Sequence, residues 1–335
     1  MVESNGTLLP SVSVVVPTYN RRQNLEPLIA RLASDAATTE IVVVVDGSND
    51  DSLEMLERLA EQEPRLRPVA QPNRGLQAAR QLGAVSARGE IVVFLDDDVL
   101  PSPALVTGHA RHHARRSADV VVGYMPVLLP PERQPGQFAS YLYASEYEEH
   151  CAEQERDPSR ILKSLWMGNV SLRREDCVRI GMQSEPFSRV YHEDTDLGLR
   201  FHRAGLRATF DRSLLATHLH TRALRAFRSD ARSQGIGRWH LRQLHTEVDA
   251  NLTTALSRDL PAVARALLSA CRRAPWVCVA VSTVLSATVV IAGRLRRFGL
   301  ETNLARVLRR VEQQYGVELA EQRRREVERS APSLP

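Results

Sequence analysis

Residues 91–99 read Ile-Val-Val-Phe-Leu-Asp-Asp-Asp-Val, an apolar run that ends in three adjacent carboxylates. An uninterrupted run of this kind predicts a strand that is buried on both faces of a sheet. Adjacent carboxylates repel one another, but a divalent cation between them removes the repulsion, and Mg²⁺ and Mn²⁺ often share carboxylate oxygens with phosphates. Acids directly after a buried strand also lie where open α/β sheets bind ligands. The stretch therefore predicts an α/β sheet with a metal site at its edge, although a turn with a helix N-cap would explain a single Asp.

Strands and helices alternate from residue 11 to about 125. Apolar, β-branched runs predict strands over residues 12–16, 41–45, 67–70 and 91–95. Leucine and isoleucine recur at helical spacing between the first runs, and residues 75–87 have the composition of a helix. Buried strands that alternate with helices predict a mainly parallel sheet with helices on both faces.

The composition is that of a globular enzyme. The 335 residues suffice for one large domain with an appendage, and charged residues make up an ordinary 25%. The net charge of +4 is small for this length, so a nucleic-acid partner is not indicated. Four cysteines without paired ligand spacing indicate reduced thiols, and no signal peptide is visible at the N-terminus, so we expect a cytoplasmic protein. Lys163 is the only lysine.

Two common nucleotide-binding motifs are absent from the sequence. The turn after the first predicted strand is Pro17-Thr18-Tyr19-Asn20, which is not a glycine-rich G-x-G-x-x-G loop. The phosphate-binding pattern G-x-x-x-x-G-K-[ST] does not occur. These absences argue against a dinucleotide-dependent oxidoreductase and against a P-loop NTPase.

Several short motifs together resemble family 2 glycosyltransferases. In the order typical of that family, the sequence has VSVVVPTYNR at 12–21, VDGSND at 45–50, NRGLQAAR at 73–80, DDD at 96–98, GN at 168–169 and EDTDLGLR at 193–200. The resemblance implies a GT-A fold, a nucleotide-diphosphate sugar donor, Mn²⁺ or Mg²⁺ as cofactor, and inversion at the anomeric carbon.

The resemblance also implies a division of the chain. Residues 1–250 would form the GT-A domain, with a donor half at about 11–125 and an acceptor half at about 126–230. Residues 251–335 would form a helical C-terminal extension.

The implied donor site comprises seven residues: Pro17, Thr18, Tyr19, Asp46, Arg80, Asp96 and Asp97. Asp46 ends a predicted strand, where its carboxylate could accept hydrogen bonds from a base or a ribose, or could cap the next helix, or do both. Tyr19 could contact the base or be an ordinary half-buried aromatic. Arg80 could pair with phosphate or with a neighbouring acid, and the family pattern favours the donor site.

The implied metal ligands are Asp98, Asp96 and His218. In the family's D-x-D motif the first acid contacts ribose or metal and the last binds metal, and Asp97 occupies the variable position between them. His218 and His220 alternate, so both would face one side of a strand, and imidazole is a common ligand of Mn²⁺-like metals. The family pattern favours His218, with His220 as the alternative and an ordinary structural histidine as the simpler explanation.

The implied catalytic residues are Asp194 and Glu193. Inversion requires a base that takes a proton from the acceptor hydroxyl. By the family pattern Asp194 is this base, Glu193 supports it and Asp196 is the reserve candidate, while a helix cap is the structural alternative. The implied acceptor site comprises Trp166, Gly168 and Asn169, and Trp166 could equally fill the core.

A group of histidines offers a less attractive site. His109, His112 and His113 share a predicted helix face and lie among arginines. This pattern predicts a solvated basic face.

The C-terminal third contains an uncharged run at residues 276–292 between two arginine clusters. Seventeen residues are the lower limit for a membrane span, and a single span would place one arginine cluster outside. An interfacial or re-entrant helix at an anionic membrane surface satisfies both flanks. A helix packed on the catalytic domain is the soluble alternative. Residues 302–329 predict a charged amphipathic helix.

These patterns predict an inverting glycosyltransferase in the cytoplasm. It would be either free or attached to the cytoplasmic face of the membrane. It would transfer one sugar to a saccharide or a lipid-linked acceptor in cell-envelope glycan or glycolipid synthesis. One alternative is a nucleotidyltransferase, which would normally show a glycine-rich and basic N-terminal loop. The other is a non-catalytic module that binds nucleotide sugars, against which the intact acids argue.

Overall fold

A computed structural model describes residues 8–245, 262–273 and 275–330. The strands are β1 (Val12–Thr18), β2 (Thr38–Asp46), β3 (Leu66–Gln71), β4 (Ile91–Leu95), β5 (Val99–Pro101), β6 (Val120–Tyr124), β7 (Asn169–Arg173) and β8 (Ala208–His218). The first eight helices are α1 (Arg22–Ser34), α2 (Ser52–Ala60), α3 (Leu76–Ser86), α4 (Leu105–Ala114), α5 (Phe138–Arg156), α6 (Arg174–Ile180), α7 (Glu193–Arg203) and α8 (Leu224–Leu244). The last three are α9 (Ala262–Arg273), α10 (Pro275–Arg294) and α11 (Phe298–Ser330).

The described strands form one sheet in the order β3-β2-β1-β4-β7-β6-β8-β5. The strands β1 to β4 run parallel, as predicted, because each connection between them is a helix that returns the chain to the same edge. The sheet as a whole is mixed, since β7 is antiparallel to both of its neighbours and β5 is antiparallel to β8. The predicted α/β class with a helical C-terminal region is confirmed.

The apolar runs of the first strands are the core of the sheet. Val15 of β1, Val44 of β2 and Phe94 of β4 are all 0% exposed. They belong to one buried cluster that also contains Val170 and Leu172 of β7. Burying such side chains stabilises the fold by about 1.5–3 kcal/mol each, which explains why the predicted strands form where the apolar runs are.

The chain divides into two compact units. The first contains residues up to Leu128, together with Glu146–Arg189 and Glu193–His220, and it includes the whole sheet. The second contains Leu129–Ser145, Val190–His192 and the residues from Thr221 onward. The boundary predicted at residue 250 lies outside the described residues.

The second unit is helical and has a core of its own. Phe138, Leu142, Phe227, Val289 and Leu308 belong to a buried cluster contributed by α5, α8, α10 and α11. The rings of Phe138 and Phe227 meet edge to face with centroids 5.1 Å apart. We call this second unit the helical unit.

Close packing of α8 on α11 depends on a glycine. A Cβ atom at Gly235 would lie 2.0 Å from the backbone oxygen of Gln313, so no larger residue fits without displacement of a helix. The side chains of Gln313 and Gln234 are joined by a hydrogen bond of 2.8 Å. The register of these two helices is therefore fixed by a backbone contact and by a polar pair.

Candidate active site

The site lies at the carboxyl-terminal edge of the parallel strands in the first unit. Thr18 ends β1, Asp46 ends β2, and the three acids Asp96, Asp97 and Asp98 follow β4. The strands are in parallel register, with Val15 beside Phe94 and Thr18 beside Val45, so their ends come together. The sequence alone predicted this grouping, because neighbouring parallel strands end at one edge.

Arg80 is the centre of the site. Its side chain is only 3% exposed, and its two terminal nitrogens donate hydrogen bonds to different acids. Nη1 donates to Asp194 Oδ1 at 2.7 Å, and Nη2 donates to Asp96 Oδ1 at 3.1 Å. Burial opposes the charge of Arg80, but Asp194 and Asp96 outweigh burial and raise its pKa. The permanently charged guanidinium group of Arg80 therefore connects Asp96, directly after β4, with Asp194, in the first turn of α7.

Asp194 is held by hydrogen bonds on both oxygens. Besides Arg80, it accepts a hydrogen bond from the backbone N–H of Met167 at Oδ2, at a distance of 2.9 Å. Its side chain remains 24% exposed, so another molecule can still reach the carboxylate. The first turn of α7, where the helix dipole favours negative charge, contains both Asp194 and Glu193.

Glu193 differs electrostatically from its neighbour. Burial raises the pKa of Glu193 well above its usual value, the charge of Asp194 adds to this shift, and Arg80 only partly opposes it. A buried carboxyl group with a raised pKa is a frequent feature of enzyme active sites. Asp196, the reserve candidate, is 2% exposed and accepts a hydrogen bond from Arg200 at 3.0 Å within the same helix.

The middle acid, Asp97, is tied to the first strand and to a loop arginine. It accepts hydrogen bonds from Thr18 Oγ1 and from Arg21 Nη1, each at 2.7 Å. Burial raises the pKa of Asp97 to about 6, against the opposing charge of Arg21. Arg21 also donates to Asp98 Oδ2 at 2.7 Å, so one guanidinium joins two of the three acids. Sequence reasoning missed Arg21; its position directly after the Pro-Thr-Tyr-Asn turn was the available signal.

Asp98 and His218 lie close together. His218 Nε2 is 3.4 Å from Asp98 Oδ1, and β5 and β8 pair Val99 with His218 directly. The neighbouring His220 contacts the ring of His218 edge to face, with ring centroids 5.3 Å apart.

The donor atoms at this place fit a hard divalent ion. Carboxylate oxygens of Asp96 and Asp98 together with the His218 imidazole are ligands that suit Mn²⁺, while Mg²⁺ prefers oxygens. Burial raises the pKa of Asp96, the charge of Arg80 opposes this shift, and the charge of Asp98 adds to it. Within the described part of the chain, no three such side chains are arranged as a ready metal cluster. Metal binding by these residues stays a prediction.

The predicted base-binding residues lie beside the acids. Pro17 is the buried penultimate residue of β1, and Tyr19, directly after the strand, is 50% exposed. Asp46 accepts hydrogen bonds from Gln71 Nε2 at 2.7 Å and from the backbone N–H groups of Arg74 and Gly75 at 2.8 and 2.9 Å. Asp46 therefore does hold the turn that begins α3, and its contact with a base stays a prediction.

The predicted acceptor residues lie on and before β7. Trp166 stacks on His150 with ring centroids 4.8 Å apart and touches Tyr147 at 5.2 Å. The absence of a side chain at Gly168, directly before β7, lets the backbone there lie close to Asp96, since a Cβ atom at Gly168 would lie 2.7 Å from Asp96 Oδ2. Asn169 is 2% exposed, and its amide donates to the backbone oxygen of Leu214 at 2.9 Å.

A shallow pocket in this region is lined by Val122, Gly123, Met125, Tyr147, His150, Gln154, Trp166 and Asn169. Trp166 and Asn169 are thus brought to one place. Their role toward an acceptor stays a prediction.

The prediction of a solvated histidine face on α4 was wrong. His109 is 0% exposed and His113 is 3% exposed, and both contact Ser171 Oγ of β7 at 2.8 Å. His109 also lies 3.0 Å from Asn169 Oδ1. Burial lowers the pKa of His109 to about 4 and that of His113 to about 3, so both are neutral at pH 7. The neighbouring arginines in the sequence made this buried helix face look like a solvated one.

Comparison with known proteins agrees with this geometry. The family model described as "Glycosyl transferase family 2" matches residues 13–148. An uncharacterized glycosyltransferase, YfnE of Bacillus subtilis, is 25% identical over 256 residues, which are 62% of this chain and 64% of that protein. Validoxylamine A glucosyltransferase of Streptomyces hygroscopicus subsp. jinggangensis is 32% identical over 231 residues, covering 61% of this chain and 54% of that protein.

A shorter match involves a lipid-linked sugar transferase. Undecaprenyl-phosphate 4-deoxy-4-formamido-L-arabinose transferase of Pseudomonas savastanoi pv. phaseolicola is 39% identical over 100 residues, which are 28% of this chain and 29% of that protein. The chain thus spans less than two thirds of the length of the first curated relatives that it matches.

A solved structure shows the same fold. The mannosyltransferase PcManGT of Pyrobaculum calidifontis, in complex with GDP-Man and Mn²⁺, superposes with a TM-score of 0.54 at 18% identity, over 91% of this chain and 86% of that chain. The predicted GT-A architecture is therefore confirmed.

Proposed function

We propose that the chain is an inverting glycosyltransferase, a proposal supported by the match of the family model described as "Glycosyl transferase family 2" to residues 13–148. It moves a sugar from a nucleotide-diphosphate donor to a hydroxyl of a saccharide or a lipid-linked acceptor, in the synthesis of cell-envelope glycan or glycolipid. One observation carries the proposal: buried Arg80 joins Asp96, at the donor edge of the sheet, to Asp194, at the start of α7. Arg80 therefore holds together the acid that we propose for donor binding and the acid that we propose for proton abstraction.

In the proposed reaction Asp194 accepts the proton of the acceptor hydroxyl as that oxygen attacks the anomeric carbon. Met167 N–H and Arg80 orient the carboxylate, and Glu193 supports it from the same helical turn. Arg80 is a positioning residue for Asp194, because it fixes one carboxylate oxygen and leaves the side chain partly open.

The donor would lie over the strand ends. Pro17, Thr18, Tyr19 and Asp46 would contact its base and ribose, and Asp97 would hold Thr18 and Arg21 in position. Asp96, Asp98 and His218 would hold Mn²⁺ or Mg²⁺, which when bound neutralises charge on the leaving diphosphate. Arg21, which lies beside Asp97 and Asp98, adds positive charge at the same edge.

Relatives support the substrate classes without naming the substrate of this chain. One structural neighbour was solved with GDP-Man and Mn²⁺, and one relative is named for transfer involving undecaprenyl phosphate. We propose a nucleotide sugar as donor and, as acceptor, a hydroxyl group of a saccharide or of a lipid-linked molecule. A cytoplasmic enzyme that is peripheral at the membrane would reach both.

The decisive experiment measures the thermal stability of the full chain with a panel of UDP-, GDP- and dTDP-sugars, with and without Mn²⁺. We expect one donor to raise the melting temperature, more strongly with Mn²⁺, because ligands that bind the folded state stabilise it. No stabilisation by any nucleotide sugar under either condition would contradict the proposal.

Product analysis with that donor separates the alternatives. A glycosyltransferase releases nucleoside diphosphate, slowly in water and faster with an acceptor, whereas a nucleotidyltransferase would exchange pyrophosphate. A binding module without catalytic activity would release neither.

A further inference from the structure

The helical unit contains a buried positive charge that no described residue neutralises. Arg238 of α8 is 6% exposed, and its Nε and Nη1 atoms are buried without a hydrogen-bond partner in the described part of the chain. Burying an ion without a partner is strongly unfavourable, and native structures normally pair buried charges. An uncompensated guanidinium at this depth therefore indicates that a negatively charged group is bound in the functional state.

The surroundings of Arg238 add further positive charge. Burial and, after it, the charges of Arg310, Arg242 and Arg309 together lower the pKa of Arg238 to about 9. Even so, the guanidinium remains charged at pH 7. The neighbouring arginines come from α8 and α11, so both helices direct positive potential to one place.

Glu312, one of two buried acids of α11, is not available to Arg238. Glu312 is 1% exposed and already accepts hydrogen bonds from Arg228 at 2.6 Å, from Arg232 at 2.7 Å and from Ser282. This carboxylate is therefore fully used within the helical unit.

A second buried group near Arg238 also has an unused nitrogen. The Nε2 atom of His192 is buried without a hydrogen-bond partner among the described residues. Burial and, after it, the charge of Arg238 together lower the pKa of His192 to about 3, so the ring is neutral at pH 7. A neutral imidazole can carry its proton on Nε2 and donate it to an anion. His192 has a φ of 77°, a left-handed conformation that is uncommon for a residue with a side chain.

We propose that Arg238 and His192, surrounded by Arg242, Arg309 and Arg310, bind a phosphate group in the helical unit. Guanidinium matches phosphate geometry with paired hydrogen bonds, and it is the side chain preferred for buried phosphate contacts. The phosphate could belong to the head group of a lipid or to a soluble phosphate or diphosphate, and both present the same oxygens. This proposal does not rest on the proposed transfer chemistry.

The first test uses inorganic pyrophosphate and the full chain at constant ionic strength. We compare Arg238→Met with Arg225→Met, a matched loss of one charge at an exposed position of the same helix. Wild type and R225M should bind pyrophosphate and gain melting temperature, whereas R238M should bind at least about tenfold more weakly, because a charged hydrogen-bond donor is lost. Without pyrophosphate R238M should be at least as stable as wild type, since a buried unpaired charge is removed.

A second variant keeps the test decisive if R238M fails to fold. Arg238→Lys retains the charge but not the planar pair of donors, so it should bind more weakly than R225M and more tightly than R238M. Equal pyrophosphate binding by R238K and R225M would then count against a guanidinium site.

Vesicles identify the source of the phosphate. Co-sedimentation is measured with vesicles of equal parts phosphatidylcholine and phosphatidic acid, and with phosphatidylcholine alone. Vesicle binding that is weaker in R238M than in R225M assigns a lipid phosphate. Pyrophosphate binding that depends on Arg238, with equal vesicle binding by both variants, assigns a soluble phosphate. If R238M and R225M match in both assays, the proposal is overturned, and the proposed sugar transfer is unaffected because neither assay measures it.

Discussion

Arg80 illustrates how single residues define this site. The three acids after β4 would repel one another, yet two guanidinium groups, Arg80 and Arg21, each bridge a pair of carboxylates. Arg80 connects residues that are far apart in sequence, whereas Arg21 joins neighbours. Replacing either arginine would remove the positively charged partner of two partly or fully buried carboxylates, which is more costly than losing an exposed ion pair.

Asp194→Asn should reduce turnover by about 10²–10⁴, because a sugar hydroxyl is a poor nucleophile without its base. Asparagine keeps the size of the side chain and an oxygen that can accept the Met167 N–H. Donor affinity should therefore stay near that of wild type. Initial rates and donor affinity measured by calorimetry check this pair of expectations.

Asp196→Asn is the matched control, since Asp196 lies on the same helix and accepts a hydrogen bond from Arg200. It should affect stability more than turnover. Near-normal turnover in D194N together with an inactive D196N would move the base two residues along the helix.

Asp98→Asn should weaken donor binding in the presence of Mn²⁺ by about tenfold or more, because one anionic metal ligand is lost. Asp51→Asn removes the same charge at an exposed position and should leave donor affinity unchanged. Calorimetric titration of the donor with and without Mn²⁺ measures both variants. Unchanged affinity of D98N in Mn²⁺ would exclude Asp98 as a ligand.

At the scale of elements, sequence patterns predicted the first half of the sheet well. The strands β1 to β4 begin or end within a few residues of the predicted runs, since continuous β-branched apolar segments have few other low-energy arrangements. The antiparallel direction of β7 was not predictable, because it depends on the long connection through α5 rather than on any local pattern. The burial of α4 was missed because its histidines lie between arginines, and only contact with Ser171 reveals their role.

The buried face of α4 should make stability fall in mild acid. The pKa of His109 is lowered to about 4 by burial in the folded protein, while an unfolded histidine titrates near about 6.5. Between these values the unfolded chain binds more protons, so the free energy of unfolding decreases as pH falls, by up to about 1.4 kcal/mol per pH unit.

His109→Gln should therefore lose less stability than wild type between about pH 7 and pH 5, as measured by urea unfolding. His202→Gln, at an exposed position of α7, should behave as wild type. Equal losses in H109Q and wild type would show that His109 does not contribute to the acid sensitivity.

The apolar helix α10 has two different faces. Cys278, Ser282, Val289 and Ala292 are buried, whereas Trp276, Val279, Val284 and Ile291 are 73%, 46%, 64% and 54% exposed. Among the described residues, one helical segment is long and apolar enough to cross a membrane. It is Trp276–Arg294 of α10. A helix with one face buried in its own unit and an exposed apolar face favours the interfacial interpretation.

We expect the full chain to co-sediment with vesicles that contain phosphatidylglycerol. A triple variant with serine at positions 276, 284 and 291 should stay in the supernatant, because each apolar side chain contributes about 1.5–3 kcal/mol when it is fully buried. Serine at positions 85, 128 and 178, which are exposed apolar positions of the first unit, is the matched control. If the α10 variant sediments like this control, α10 does not contact the membrane.

At the scale of the whole molecule, two cores coexist in one chain. The first unit is built around the sheet, and the helical unit is built around Phe138, Phe227 and Leu308. The location of the donor edge followed from strand order, which a sequence pattern can supply. The polar contacts inside the helical unit could not be predicted from the sequence. The environment of Arg238 and the contacts of Glu312 depend on which helices pack together.

Urea should unfold the chain in two steps, because each unit buries its own apolar cluster. Leu308→Ala should shift only the unfolding transition of the helical unit to lower urea concentration, and Leu172→Ala only that of the first unit. Each substitution should lower the free energy of unfolding of its unit by about 2–5 kcal/mol. Both leucines are 0% exposed. Fluorescence of Trp166 in variants lacking Trp239 and Trp276, compared with circular dichroism, would follow the units separately. A single coincident transition, shifted by both substitutions, would show that the units unfold together.

The lone lysine gives the molecule a chemical handle. Lys163 is exposed in the short 3-10 turn Leu162–Ser164, which packs against α7, the helix that begins with Glu193 and Asp194. An amine-reactive dye would therefore label one side chain besides the chain's α-amino group, and the dye would lie next to the helix of the proposed base. Such a fluorophore would turn rearrangement of α7 during substrate binding into an optical signal, without any engineered cysteine.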